Sequence, residues 1–156
     1  MSKSTVTPLG NKSSKAVVSA LKDVLSDNYA LYLKTQNYHW NVEGPNFQSL
    51  HVLFETQYND LALANDTVAE LIRGLGEKAP GTFDAFNKHA TIKPGNENAS
   101  AAQMVKELIA DQGKISKTLQ TALEAAQKAG DEVVAGFMIE RLTVHRKAEW
   151  MLKSSL

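Results

Sequence analysis

The chain has 156 residues, 43% of them hydrophobic and 22% charged, with 17 Lys and Arg set against 17 Asp and Glu. That length suits one domain with a sizeable core, and the balanced charge restricts any nucleic-acid binding to a local patch. Cysteine is absent, which excludes disulfides and thiol catalysis, and no apolar run is long enough to span a membrane.

The chain opens with MSKSTVTPLGNKSSK, too polar to offset the entropy of ordering, so residues 1–14 are expected to form a flexible tail ahead of a single domain over 15–156. It holds no apolar core of signal-peptide length, and the expected location is the cytoplasm. Lys3, Lys12 and Lys15 make the start basic, with no acid before Asp23. Such a tail is a candidate for phosphate contacts, which sum when many copies project from one oligomer and weaken steeply with salt.

A first helix is expected from about Lys15 to Trp40, with Val17, Leu21, Val24, Leu25, Leu31 and Tyr32 facing inward. The segment from Trp40 to Asn46 contains Gly44 and Pro45 and predicts a turn that folds the chain back. A second helix follows, opened by Pro45 and Asn46 and closed by Gly74 and Gly76, its stripe made of Phe47, Leu50, Phe54, Leu61, Val68, Ile72 and Leu75.

Between Tyr38 and Ile72 lie His39, His51, Glu55, Asp66 and Glu70. The steps from His51 to the three acids place all four side chains within a sector of about 100° on one helix. Along the axis, however, fifteen rises separate His51 from Asp66 by roughly 22 Å, far beyond a metal–ligand bond of about 2 Å. One chain therefore cannot close a site from these residues. An antiparallel pairing of the helix with its own copy, about a two-fold axis near residues 58–60, lays His51 beside Asp66 and Glu70 of the mate, while the turn brings His39 to His51. Imidazoles and carboxylates without thiolate suit iron(II), zinc or manganese, with iron the best single choice. The competing interpretation is two core histidines and an ordinary i, i+4 acidic pair on a solvated face.

The stretch from Gly74 to Ala99 holds Gly76, Pro80, Gly81, Pro94 and Gly95, with TFDAF in its middle as the place for a short helix. A connection of that length is expected to cross the length of a bundle. Ser100 and Gln103 predict a capping box for a third helix carrying Met104, Leu108, Ile115, Leu119 and Leu123 as far as Ala129, with Gly113 allowing a close helix contact. After Gly130, Asp131 caps a fourth helix with Val134, Met138, Leu142, His145 and Met151 inward. The expected fold is all-α, a four-helix bundle with a long crossover between its second and third helices. No Glu-x-x-His occurs, so the di-iron centre that such bundles build within one subunit is not available.

The run YHWNVEGPNFQSLH, followed by Glu55 and by D-x-x-A-E at Asp66 to Glu70, resembles the signature of the Dps proteins, the miniferritins also known as DNA-binding proteins from starved cells. The likeness extends to the closing VHRKAEWML. It implies a ferritin-like bundle in which His39, His51, Asp66 and Glu70 are the catalytic ferroxidase ligands, with Glu55 assisting as a further metal ligand and Trp40 near the site as a sink for oxidising equivalents. It also implies a hollow dodecamer that oxidises Fe(II), with hydrogen peroxide preferred over oxygen, and stores the ferric product, protecting DNA. Zinc is the expected substitute metal, and DNA a partner in those relatives with lysine-bearing tails. Asp131 and Glu132 would line the pore through which iron passes, although Gly136 stands where a further carboxylate is common and Leu71 replaces a frequent arginine. The rival expectation is an oligomeric DNA-compacting module whose metal site is structural or holds zinc.

Overall fold

The computed structural model describes residues 11–156, with side chains from Ser13 onward. These residues form five helices: α1 (Asn11–Asn41), α2 (Phe47–Gly74), α3 (Phe83–His89), α4 (Ala101–Ala129) and α5 (Glu132–Lys153). α1 packs against α2 and α4, α4 against α5, and the short α3 against α1. This is an all-α four-helix bundle with an added short helix in its crossover.

The expected inward residues Val17, Leu21, Val24, Leu25 and Leu31 of α1 are buried. The helix begins four residues before Lys15, because no Gly or Pro interrupts the chain after Gly10 and buried Val17 and Val18 anchor its first turns. Residues 11–14 are thus helical rather than tail, and Lys15 is an exposed helical residue. Lys3 lies outside the described residues, as does the Lys12 side chain. In α2 the buried stripe starts at Leu50, one turn later than expected, with Phe47 at 44% exposure.

Residues 75–100 are held down as a strap. Asp27 on α1, fully buried, accepts hydrogen bonds from the Thr91 N–H (2.6 Å), the Ile92 N–H (3.2 Å) and the hydroxyls of Thr91 (2.8 Å) and Thr118 (2.7 Å). One carboxylate so ties α1, the strap and α4 together, each bond to the charged group stabilising by roughly 1.5–3 kcal/mol. Phe86 of α3 stacks on Tyr29 with ring centroids 4.7 Å apart. Gly95 is required by close approach, since a Cβ there would sit 2.9 Å from the Tyr38 ring and 3.1 Å from Lys34 Cγ.

At the start of α4 the Ser100 hydroxyl accepts from the Gln103 N–H at 3.2 Å, but the Gln103 amide reaches forward to Glu107, so only half of the expected capping box forms. Gly113 makes no close helix contact within the subunit, as a Cβ there would meet nothing within 4 Å. α4 ends at Gly130, whose φ of +73° is the left-handed cap that glycine favours, and the Asp131 carboxylate then accepts from the Val134 N–H to start α5. Met151 points outward and Leu152 is buried instead, because seven residues from His145 return to the same helix face and six do not.

Several charged groups lie inside the bundle and are paired. Lys34 contacts Asp111 at 2.8 Å and Glu107 at 3.4 Å, and the Tyr38 hydroxyl donates to Glu107. Burial and the facing Glu107 carboxylate raise the Tyr38 phenol well above its ordinary value, while the Tyr38 hydrogen bond and the Lys34 ammonium lower the Glu107 carboxyl. Arg141 holds Asp60 through two parallel bonds of 3.1 and 2.8 Å. Among the described residues no helix is long and apolar enough to cross a membrane.

Candidate metal centre

The turn between α1 and α2 brings His39 and His51 together. Gly44, at φ +114°, reverses the chain, and its carbonyl accepts the Phe47 N–H at 3.0 Å as α2 begins. The two imidazoles stack with centroids 3.7 Å apart and planes within 12°. Each ring then bonds the other's backbone: His39 Nδ1 lies 2.7 Å from the His51 carbonyl oxygen, and His51 Nδ1 lies 2.7 Å from the His39 carbonyl oxygen. A carbonyl can only accept, so both Nδ1 atoms carry the proton, and in the neutral rings both Nε2 lone pairs are left for a ligand. A bond from one ring nitrogen to a backbone carbonyl fixes tautomer and ring orientation in the way common at metal sites, and here it is reciprocal.

Two further rings support the pair. Phe47 stacks on His51 at 5.0 Å, and Tyr58 meets His39 edge-on at 5.1 Å. Tyr58 was absent from the sequence-derived site, though its spacing of seven from His51 puts it on the same helix face. Trp40 is 62% exposed and takes no part in the subunit core.

Glu55, Asp66 and Glu70 stand exposed along α2, and none has an ion-pair partner among the described residues. Asp66 and Glu70 are one turn apart and distant from His51 along the helix axis. Among the described residues no three His, Asp or Glu side chains of one chain converge on a point where a metal ion could sit. The subunit thus brings two imidazoles together near the start of α2, with Glu55 one turn on and Asp66 and Glu70 further along. Val52 and Leu63 are 51% and 75% exposed. At 100° per residue they lie within about 120° of His51 around the helix, on the flank of the same sector, so apolar surface borders the acids.

The ferritin-like domain family matches residues 18–156 of the chain. The DNA protection during starvation protein of Porphyromonas gingivalis is 36% identical over 150 residues, covering 96% of this chain and 94% of that protein. The crystal structure of Dps from Staphylococcus aureus superposes with a TM-score of 0.88 at 39% identity, over 91% of this chain and 95% of that one. The chain belongs to the Dps family. A Dps protein from Vibrio cholerae, described as a member of a broad superfamily of ferritin-like diiron-carboxylate proteins, has a TM-score of 0.88 at 28% identity, with 97% and 98% of the two chains covered.

Other residues that the Dps resemblance singled out are placed less tellingly. One oxygen of Asp131 is engaged as the α5 cap, whereas Glu132 and Gly136 are exposed on the first turns of that helix. Leu71 is half-buried against the core and offers no charge beside Glu70. His89, to which the sequence assigned no role, lies 3.5 Å from Asp23 and clips α3 to α1.

Proposed function

We propose that this Dps-family protein oxidises Fe(II) at sites shared between two subunits and stores the ferric product, so protecting DNA from the products of iron and peroxide. Each site would take His39 and His51 from one subunit and Asp66 and Glu70 of the partner subunit, with Glu55 beside the histidines. The observation that carries this is the reciprocal bonding of His39 and His51, which leaves two oriented Nε2 atoms while Asp66 and Glu70 of the same helix lie too far along to join them. The apolar Val52 and Leu63 flanking that sector give a second copy of α2 something to cover. Two imidazoles and two or three carboxylates fit iron in both charge states, the carboxylates favouring the ferric one. Hydrogen peroxide is the preferred oxidant, and the closed homo-oligomer a hollow dodecamer in the cytoplasm.

Anaerobic addition of a few Fe(II) per subunit followed by stoichiometric peroxide tests this through ferric absorbance. His51→Ala and Asp66→Ala should each abolish fast oxidation. Random co-assembly of the two variants should restore it to about a quarter of the native level, because half the pairings are mixed and each mixed pair holds one intact site of two. Absence of any recovery would place all ligands in one chain and refute the shared site.

DNA binding through the lysines of the N-terminal segment is a separable activity. A gel shift that weakens steeply with salt and disappears on removal of residues 1–14, with iron oxidation intact, is the expected result.

A further inference from the structure

α2 packs mainly on α1, and α5 mainly on α4, and a cleft of ≈ 320 Å³ is left between α2 and α5. That volume falls at the lower end of the range for small-molecule sites. At 100° per residue Leu53 and Gln57, which line it, lie about 200° and 240° around α2 from His51, outside the sector that the shared iron site would cover. Much of the wall is apolar, from Leu53, Leu61, Val144, Ala148 and Met151. Most of its polar groups are engaged. The Asp60 carboxylate takes two Arg141 N–H groups, His145 bonds Gln112 through Nδ1 and meets Arg141 through Nε2, and the Thr56 hydroxyl donates to the Val52 carbonyl. Gln57 is the exception. Its Nε2 and Oε1 are both buried, and neither has a hydrogen-bond partner among the described residues. A buried amide left unpaired is costly, and leucine would fill the same place without that cost. Gln57 as a whole is only half-buried, so rotation of its side chain would bring the amide to an occupant of the cleft.

We infer that this cleft binds a small, mainly apolar molecule whose polar end carries an N–H and a C=O side by side, as in a lactam or a primary carboxamide. Gln57 pairs with that edge: its Nε2–H donates to the carbonyl of the ligand, and its Oε1 accepts the N–H of the ligand. Both orphaned atoms are then satisfied at once. A carboxylate has no donor and would leave Oε1 unpaired, and a ketone would do the same. The body of the ligand covers the apolar wall, which water gains nothing by wetting. Charge plays little part, because Arg141 neutralises Asp60 and the Lys147 side chain on the lining is exposed to solvent. The site is separate from the histidines and stands whether or not they bind iron.

The test titrates ε-caprolactam into the full-length protein carrying methyl-labelled methionine and follows the methyl resonances. N-methylcaprolactam, which lacks the N–H, and cycloheptanone, which keeps only the carbonyl, are titrated beside it. The Met151 methyl should shift with caprolactam, while that of Met104 in the core stays in place. In native protein both analogues should bind roughly tenfold more weakly, since each leaves Oε1 without a donor. Gln57→Leu should melt no lower than native protein and bind all three compounds alike. Ala148→Leu narrows the cleft with Gln57 in place, and should weaken all three together. A Met151 methyl that never moves, equal affinity for lactam and ketone in native protein, or a lactam preference that survives Gln57→Leu would each overturn the inference. The comparison of the three compounds on native protein decides the matter without any variant, should Gln57→Leu fail to fold.

Discussion

His145 makes the stability of this bundle sensitive to mild acid. The side chain is 2% exposed between α4 and α5, its Nδ1–H donates to Gln112 Oε1 at 2.6 Å, and its Nε2 lies 3.4 Å from the Arg141 guanidinium. Burial first, and the Arg141 charge second, push its pKa from 6.5 down to about 3, against a smaller opposing pull from Asp60. The depressed value means that the unfolded chain binds a proton that the folded chain refuses. Stability is therefore full above pH 6.5 and falls as pH drops toward 3, with a limiting slope of about 1.4 kcal/mol per pH unit. Between pH 8 and pH 5 that amounts to about 2 kcal/mol from this one group. Urea unfolding at fixed protein concentration, followed by circular dichroism at pH 8, 7, 6 and 5, gives the native profile. His145→Gln keeps a donor toward Gln112 but cannot titrate, and its profile should lose that 2 kcal/mol of pH dependence. Subtracting the two profiles cancels His39, His51 and His89. Parallel profiles from pH 8 to 5 would refute the assignment of a neutral, proton-refusing His145.

Lys34→Met strands the buried Asp111, whose nearest other cation is Lys114 at 3.6 Å, and should cost about 3 kcal/mol in chemical unfolding, with Lys34→Met/Asp111→Leu recovering most of it. A loss under 1 kcal/mol for the single variant would show that Lys34 is not what holds Asp111. Gly95→Ala drives a Cβ against Tyr38 and should lower stability by about 1–3 kcal/mol, whereas Gly113→Ala, in a helix and facing open space, should raise it by about 1 kcal/mol. Thermal melts that move the same way for both glycines would contradict this difference.

The parts of the site that were legible in the chain are those that depend on one helix axis. The spacing of His51, Glu55, Asp66 and Glu70 gives their common sector on α2 and their separation along it, because rotation and rise per residue are properties of any α-helix. The turn that returns His51 to His39 was likewise written locally, in Gly44 and Pro45. The way the two rings engage was not, since crossed bonds from each Nδ1 to the other's carbonyl require two helix ends to meet at one spacing and angle. Tyr58 was missed for a related reason. Its face could be counted, but its contact with His39 belongs to the packing of α2 on α1.

For the fold, stripes of apolar residues and the caps Ser100, Asp131 and Gly130 were enough to locate four long helices, because burial periodicity and unpaired helix ends are local requirements. The tertiary structure alone decided what the polar interior does. Asp27, Lys34, Asp111, Arg141 and His145 each meet partners from other elements, most of them between 33 and 91 positions away in sequence. No periodicity reports such pairings, because a buried charge constrains only the group that faces it. The same limit recurs one level up: α2 carries His51 near one end and Asp66 and Glu70 near the other, and nothing local to one helix says what, if anything, brings them together.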